Sequence, residues 1–307
     1  MSHSHNHHHH HHGHAHHDHH GSNLALAFWL NTAFAVIELI GGLLTNSVAI
    51  LSDAVHDLGD SLALGSAWLF EKHSKKRRDE KYTYGYKRFS LVGALINAVV
   101  LLVGSIFILH EAIGRFFDPV QPDVDGMIYL AVLGVVVNGF AILRLRKGTS
   151  ISERVISLHF VEDVVGWIAV LIGSVVMKFT DAPFLDPALS VLISIYIIVN
   201  VFRHLKVTFR IILQGVPDSV SEQQVVNAIN NFPEVESTHD VHLWTLDGNY
   251  NILTTHIVLH EPLDLVQTEQ LKSRIKGQLR TEGVHHATIE FEVKGLTCEN
   301  TMDEREL

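Results

Sequence analysis

Between positions 24 and 213 apolar residues fill the chain in long blocks separated by short polar stretches. The blocks run approximately Leu24–Leu44, Val48–Phe70, Leu91–Phe116, Gly126–Leu145, Ile156–Phe179 and Pro187–Leu213. Each is close to the roughly 20 residues an α-helix needs to cross a bilayer. The pattern therefore predicts a membrane all-α domain, a bundle of six transmembrane helices, with Gly42, Gly134 and Gly166 among the small residues that permit close helix approach. After Gly215 the period changes. Ser221 and Gln224 read as the cap of a helix reaching about Asn231. Val235–Leu246 and Asn251–Leu259 read as strands joined around Asp247-Gly248-Asn249, a hairpin signal. Leu265–Thr281 reads as an amphipathic helix and Ala287–Val293, with Ile289, Phe291 and Val293 alternating, as a last strand. The order α-β-β-α-β predicts a small α+β domain with its helices on one face of a short sheet. The expected division is 1–21, a histidine-rich tail; 22–213, the membrane domain; 214–295, the small domain; and 296–307, a loose end.

The second and fifth blocks are the least purely apolar, and the reason carries the chemistry. His56 and Asp60 stand four apart in one, His159 and Asp163 four apart in the other. On an α-helix that spacing puts both side chains on one face, about 6 Å apart along the axis. Two such helices packed together offer four ligands of types Zn²⁺ accepts, in the number it prefers. Ionisable groups at membrane depth are costly and face the bundle interior or water. A single His/Asp pair could equally be a hydrogen-bonded packing pair; two with identical spacing in different spans favour a metal site. Asp53, on nearly the same side as His56, is a ligand, an orienting partner or a gate. Asp57 and Glu162 point elsewhere and read as helix-interface or network groups. Glu38, in the first block, is a proton relay or a structural partner.

Metal and proton compete for such a site, since its ligands bind metal only when deprotonated. With access from one side at a time, that competition couples the two flows in opposite directions, with His56 and His159 as the acceptors near neutral pH. The absence of thiolate in the blocks disfavours Cu(I), and a mixed nitrogen and oxygen set disfavours Mg²⁺ and Ca²⁺.

Charge and composition narrow the picture further. Apolar residues make up 47% of the 307, and the mean hydropathy is +0.20, too apolar for an ordinary soluble protein. The formal charge of −10 is not spread evenly: residues 1–213 carry 17 acidic and 17 basic side chains, and residues 214–307 carry 16 against 6. That acidic surface excludes nucleic acid as a partner and suits a cation. One cysteine, Cys298, excludes an intrachain disulfide. Residues 1–21 hold 13 of the 24 histidines; a purification tag is the plain explanation, but the interruptions by Asn6, Gly13, Ala15 and Asp18 favour a natural metal-collecting tail. The start lacks the apolar core of a secretory signal. Lysine and arginine crowd the stretch between the second and third blocks (Lys72, Lys75, Lys76, Arg77, Arg78, Lys81, Lys87, Arg88) and recur at Arg146, Lys147 and Arg154. By the positive-inside rule both termini lie in the cytoplasm, with a plasma, inner or vesicle membrane as the host.

Four stretches together resemble a known family: Ser47-Val-Ala-Ile-Leu-Ser-Asp-Ala-Val-His-Asp-Leu-Gly-Asp60, Tyr82-Thr-Tyr-Gly-Tyr-Lys-Arg88, His159-x-x-x-Asp163, and His239-Asp-Val-His-Leu-Trp244. Over about residues 24–295 the chain is similar to the cation diffusion facilitators, most of all to their zinc-transporting branch. The resemblance implies a transport site of His56, Asp60, His159 and Asp163, exchange of Zn²⁺, with Co²⁺ and Cd²⁺ as further candidate cargo, for H⁺, and a homodimer. It also implies a cytoplasmic domain of metallochaperone, ferredoxin-like fold that binds regulatory or structural zinc through His239, His256 and Glu290, with His242 as a substitute. Trp244 reads as a packing or interface aromatic. His285 and His286 are solvated residues or ligands. Glu269 stands where some relatives carry a histidine, and the lone Cys298 where some carry a cysteine pair. His73, in the basic loop, is the one candidate for a further site there. No organic cofactor and no enzymatic activity are implied: a His-Glu-x-x-His helix is missing and four protein ligands leave no open position for water. The reading from another class is a membrane metal sensor or store.

Overall fold

The computed structural model describes residues 19–74, 78–145, 151–180 and 182–294. The histidine-rich tail through residue 18 and Cys298 lie outside the described residues. Six long helices come first: α1 (His19–Thr45), α2 (Val48–Ser74), α3 (Phe89–Phe117), α4 (Val124–Leu145), α5 (Ile151–Phe179) and α6 (Leu185–Ile212). Among the described residues five of them, all but α2, are long and apolar enough to cross a membrane. In α2 the carboxylates Asp53, Asp57 and Asp60 break every long apolar window, although the helix runs 27 residues.

The chain divides into two compact units. One comprises the residues up to Ser61 together with His110–Val191, the other Leu62–Leu109 together with the residues from Leu192 on. In the first unit, Asn31 Nδ2 on α1 donates to the Asp57 carbonyl (3.0 Å) and to Ser61 Oγ (3.1 Å) on α2, while Gly42 abuts Leu51; α1 and α2 are antiparallel. Gly41 meets Leu130, and Gly126 meets Thr45, so α4 is antiparallel to α1. Gly134 lies against Trp167 and Lys178 pairs with Asp125 at 2.6 Å, so α5 is antiparallel to α4. It follows that α5 runs antiparallel to α2.

Trp167 is completely buried and packs edge-on against Phe34, ring centroids 5.8 Å apart. A methyl at Gly134 would lie 2.3 Å from that indole, and a ring this confined cannot yield. Gly134→Ala is expected to cost about 1–3 kcal/mol, read as a lowered thermal midpoint in detergent. Gly139→Ala on the same helix, where nothing lies within 4 Å, is the control expected to leave the midpoint unchanged or raised.

The turn from α1 to α2 is held from three sides. Asn46 takes the left-handed φ of 54°, and Arg115 at the end of α3 donates to its carbonyl (2.6 Å) and its Oδ1 (2.8 Å). Ser47 caps α2 by accepting from Ile50 N–H at 3.2 Å. From the first turn of α6, the buried Asp186 carboxylate accepts from Ser47 Oγ (2.5 Å), Val48 N–H (3.0 Å) and Ala49 N–H (3.2 Å). A carboxylate at a helix N-terminus satisfies donors that would otherwise be orphaned and complements the helix dipole.

The second unit contains the small domain: α7 (Glu222–Asn230), β1 (Val235–Thr245), β2 (Asn251–Leu259), α8 (Leu265–Thr281) and β3 (Val284–Val293). The sheet order is β1-β2-β3, with β1 antiparallel and β3 parallel to β2. Ser221 caps α7, and Asp264 with Gln267 forms a reciprocal capping box on α8. Val225 and Ile229 of α7 join Leu271, Ile275 and Leu279 of α8 over Leu243, Leu253, Ile257 and Val284 of the sheet. The turn after β1 is built by Asp247 Oδ1, which accepts from Asn249 and Tyr250 N–H, with Gly248 at φ 94°. β3 begins three residues before the alternating pattern suggests, because Val284 already pairs with Asn251 of β2.

Candidate metal sites

His56 and Asp60 face each other on α2, Nε2 to Oδ2 at 3.5 Å, with about a fifth and a quarter of each side chain exposed. Asp163 on α5 is buried. His159 lies one helical turn before it; the side chain of His159 is outside the described part. The space above Gly166 of α5 opens onto Asp53 Oδ1, 3.9 Å from where a Cβ would sit. In an antiparallel pair, one turn onward along α2 from Asp53 is one turn back along α5 from Gly166. That register sets His56 level with Asp163 and Asp60 level with His159.

Around this pair the core is unusually acidic. Glu38 is fully buried, and Asp53, Asp57 and Asp163 are at most 6% exposed. Neither carboxylate oxygen of Glu38 or Asp57 has a hydrogen-bond partner among the described residues. Glu38 lies beside Asp57 and Trp167. Buried carboxylates are expensive, and they make the region attractive to cations and protons. Asp57, expected from spacing alone to be a helix-interface or network group, is buried in this acidic core beside Glu38 of α1. Glu162 is exposed. The signal for Asp57 was present in the sequence: Asp53 and Asp57 share the four-residue spacing of His56 and Asp60.

The small domain gathers a second set of ligands. His239 Nε2 lies 3.0 Å from Glu292 Oε2, and His256 Nδ1 lies 2.7 Å from Glu292 Oε1. One ligand atom from each of the three residues falls within 4.8 Å of the others. Two imidazoles and a carboxylate are a donor set Zn²⁺ takes. Each comes from a different strand: His239 and His256 are register partners across β1 and β2, and Glu292 sits diagonally on β3. The carboxylate expected here, Glu290, is the direct register partner of His256, yet its side chain is 69% exposed and approaches only to 3.5 Å. Both glutamates alternate with Ile289, Phe291 and Val293 and face the same side. Sequence alone could not choose between them, because the choice depends on side-chain reach across the pairing. A bulge between His239 and His242, with Asp240 at φ 49°, brings Asp240 to 2.9 Å from His242 Nε2 and 3.5 Å from His256 Nε2.

Other expected ligands have other roles or fall outside this description. His285 and His286 belong to β3; the Nδ1 of His285 accepts from Asn251 N–H at 3.2 Å. Glu269 pairs with Lys272 on α8. His73 is in the last turn of α2, its side chain outside the described part.

Long apolar helices that hold the His56/Asp60 pair and Asp163 in an acidic core, joined to a small sheet domain carrying a second ligand cluster, define an integral membrane protein that handles metal cations. Comparison makes the class specific. Residues 24–213 match the family described as "Cation efflux transmembrane domain" and residues 217–293 the one described as "Cation efflux protein, cytoplasmic domain". The chain belongs to the cation efflux, or cation diffusion facilitator, family: it is a metal-cation efflux transporter and not an enzyme. Among its relatives is the "Zinc transporter ZitB" of Yersinia pseudotuberculosis, 35% identical over 278 residues, covering 89% of this chain and 88% of that one. The "Metal cation efflux system protein CzcD" of Cupriavidus metallidurans is 34% identical over 275 residues, covering 88% and 86%. The "Cadmium, cobalt and zinc/H(+)-K(+) antiporter" of Bacillus velezensis is 31% identical over 289 residues, covering 92% of each chain.

Proposed function

We propose that this protein exports Zn²⁺ from the cytoplasm in exchange for H⁺, by alternating access to a tetrahedral site of His56, Asp60, His159 and Asp163. The observation that carries this reading is the His56/Asp60 pair at 3.5 Å on α2, in a core where Asp163 and three further carboxyls are buried. A zinc ion satisfies those ligands; when it leaves, protons on the same groups do so instead. Relatives named for zinc and for H⁺-linked antiport support the same choice of ions, and the nitrogen and oxygen donor set also accepts Co²⁺ and Cd²⁺. In this reading α2 crosses the membrane as a sixth span, its carboxylates turned inward, with residues 22–213 as the transport domain and both termini in the cytoplasm. The domain of residues 214–295 pairs two copies into a homodimer, as the family resemblance implies. It senses zinc through His239, His256 and Glu292, near Asp240 and Glu290.

The test is proton movement in sealed proteoliposomes. An imposed zinc gradient is expected to drive protons the opposite way in the intact protein. Zinc binding of full strength with no zinc or proton crossing would replace the carrier by a sensor or store.

A further inference from the structure

The loop between α2 and α3 folds on itself before it meets anything else. Asp79 accepts from the N–H groups of Lys81 (3.0 Å) and Tyr82 (2.9 Å) and from the Tyr86 hydroxyl (2.5 Å). That last bond holds the Tyr86 phenol up at about 12. The rings of Tyr82, Tyr86 and Phe89 pack together, centroids 4.7 to 5.5 Å apart. Gly85, at φ 81°, turns the chain and donates to the Tyr82 carbonyl at 2.9 Å. Tyr84 at the tip is left outside this cluster.

What Tyr84 meets instead is the end of the small domain's sheet. Its ring stands edge-on to Trp244 of β1 at 6.2 Å and to His286 of β3 at 5.8 Å. Lys87 Nζ sits 4.0 Å above the ring of Tyr250, which stacks on His285 at 5.2 Å. The Arg88 guanidinium lies 5.3 Å over Trp244. The Nε and Nη2 atoms of Arg88 are buried with no hydrogen-bond partner among the described residues. The indole face supports this cation, and a cation over an aromatic ring gains most where water is excluded.

Both ends of this contact lead to a candidate metal site. The loop follows α2, the helix that carries His56 and Asp60. Trp244 lies five residues beyond His239 on β1, a stretch that the bulge shortens to four residues of β2, about 13 Å along the strand, and His286 and Glu292 share β3. We propose that residues 82–89 form a latch, seated by Tyr84, Lys87 and Arg88 on Trp244, Tyr250 and His286, through which metal held on the sheet alters the movement of α2. This rests on the reading of His239, His256 and Glu292 as a metal site. Pulling two imidazoles and a carboxylate onto one ion shifts β1 and β3 relative to each other, and Tyr84 touches both strands at once. The contact is made of ring faces and cations, whose attraction is less directional than a hydrogen bond and tolerates sliding.

Amide hydrogen exchange on the full chain in lipid nanodiscs tests this, with and without added Zn²⁺. Zinc is expected to change protection both in β1–β3 and in residues 82–89, and His256→Ala is expected to abolish both changes. In the double variant Tyr84→Ala with Lys87→Gln, residues 84–89 are expected to exchange about tenfold faster. There the strands should still respond to zinc while the loop does not, and the rate of zinc transport should lose its dependence on His256. A zinc response in the strands with none in the intact loop overturns the latch and leaves the metal site standing. No zinc response in either overturns the metal-site reading, and the latch with it. Transport that still depends on His256 in the double variant also overturns the latch.

Discussion

Asp163→Asn is expected to abolish zinc transport while leaving the protein folded. The substitution keeps the side chain's size and removes one anionic ligand from a four-ligand set. Loss of even an outer-sphere partner of a metal ligand typically costs 10–100-fold in affinity, so zinc binding should weaken by about 100-fold or more. Stability should move little, or rise. Among the described residues Asp163 is one of five carboxyls buried in the same unit, with Glu38, Asp53, Asp57 and Asp186, and replacing it by a neutral amide relieves the acidic core it shares with the first three. Zinc uptake into proteoliposomes, zinc titration calorimetry and the thermal midpoint in detergent separate the effects. Undiminished zinc affinity in the variant would remove Asp163 from the site.

Asp186→Ala is expected to fail in the opposite order, with stability lost first. Its carboxylate takes three hydrogen bonds, from Ser47 Oγ, Val48 N–H and Ala49 N–H, at 2.5 to 3.2 Å. Truncation leaves those buried donors without an acceptor, each costing about 1–3 kcal/mol, for a total of roughly 3 kcal/mol or more. The N-terminus of α2 should fray, and His56 lies little more than two turns further along it. Zinc affinity would then fall as a consequence. Asp186→Asn, which keeps one acceptor oxygen, should be intermediate, and Ser47→Ala should cost about 1 kcal/mol, as the loss of an ordinary cap does. The measurement is the thermal midpoint in detergent with and without saturating zinc. An unchanged midpoint for Asp186→Ala would show that water replaces the carboxylate at no cost, and the anchoring role would be lost.

The contrast between the two aspartates also marks where reading the sequence stops. Nothing in the spacing around Asp186 distinguishes it from any polar residue at the start of a span; its partners lie more than 130 positions away in the chain. Asp163 declares itself, because the same His/Asp spacing occurs twice and a helix converts spacing into a shared face.

The sequence by itself determined what depends on local period and composition. Long apolar blocks became long helices, alternation and turn residues became the β1–β2 hairpin, and two spacings of four put a His/Asp pair on each of α2 and α5. These rules act within a few residues, where covalent geometry leaves few alternatives. Tertiary structure decided everything set by register between distant elements. It chose Glu292 over Glu290, since both share a face of β3 and only the pairing with β2 and side-chain reach tell them apart. It turned Asp57 into the acidic core beside Glu38, brought Asp186 to the start of α2, and seated Tyr84, Lys87 and Arg88 on the aromatic end of the sheet. A side chain's face follows from its own helix or strand; its partner follows from how two elements slide against each other, and that is fixed by packing summed over the whole fold.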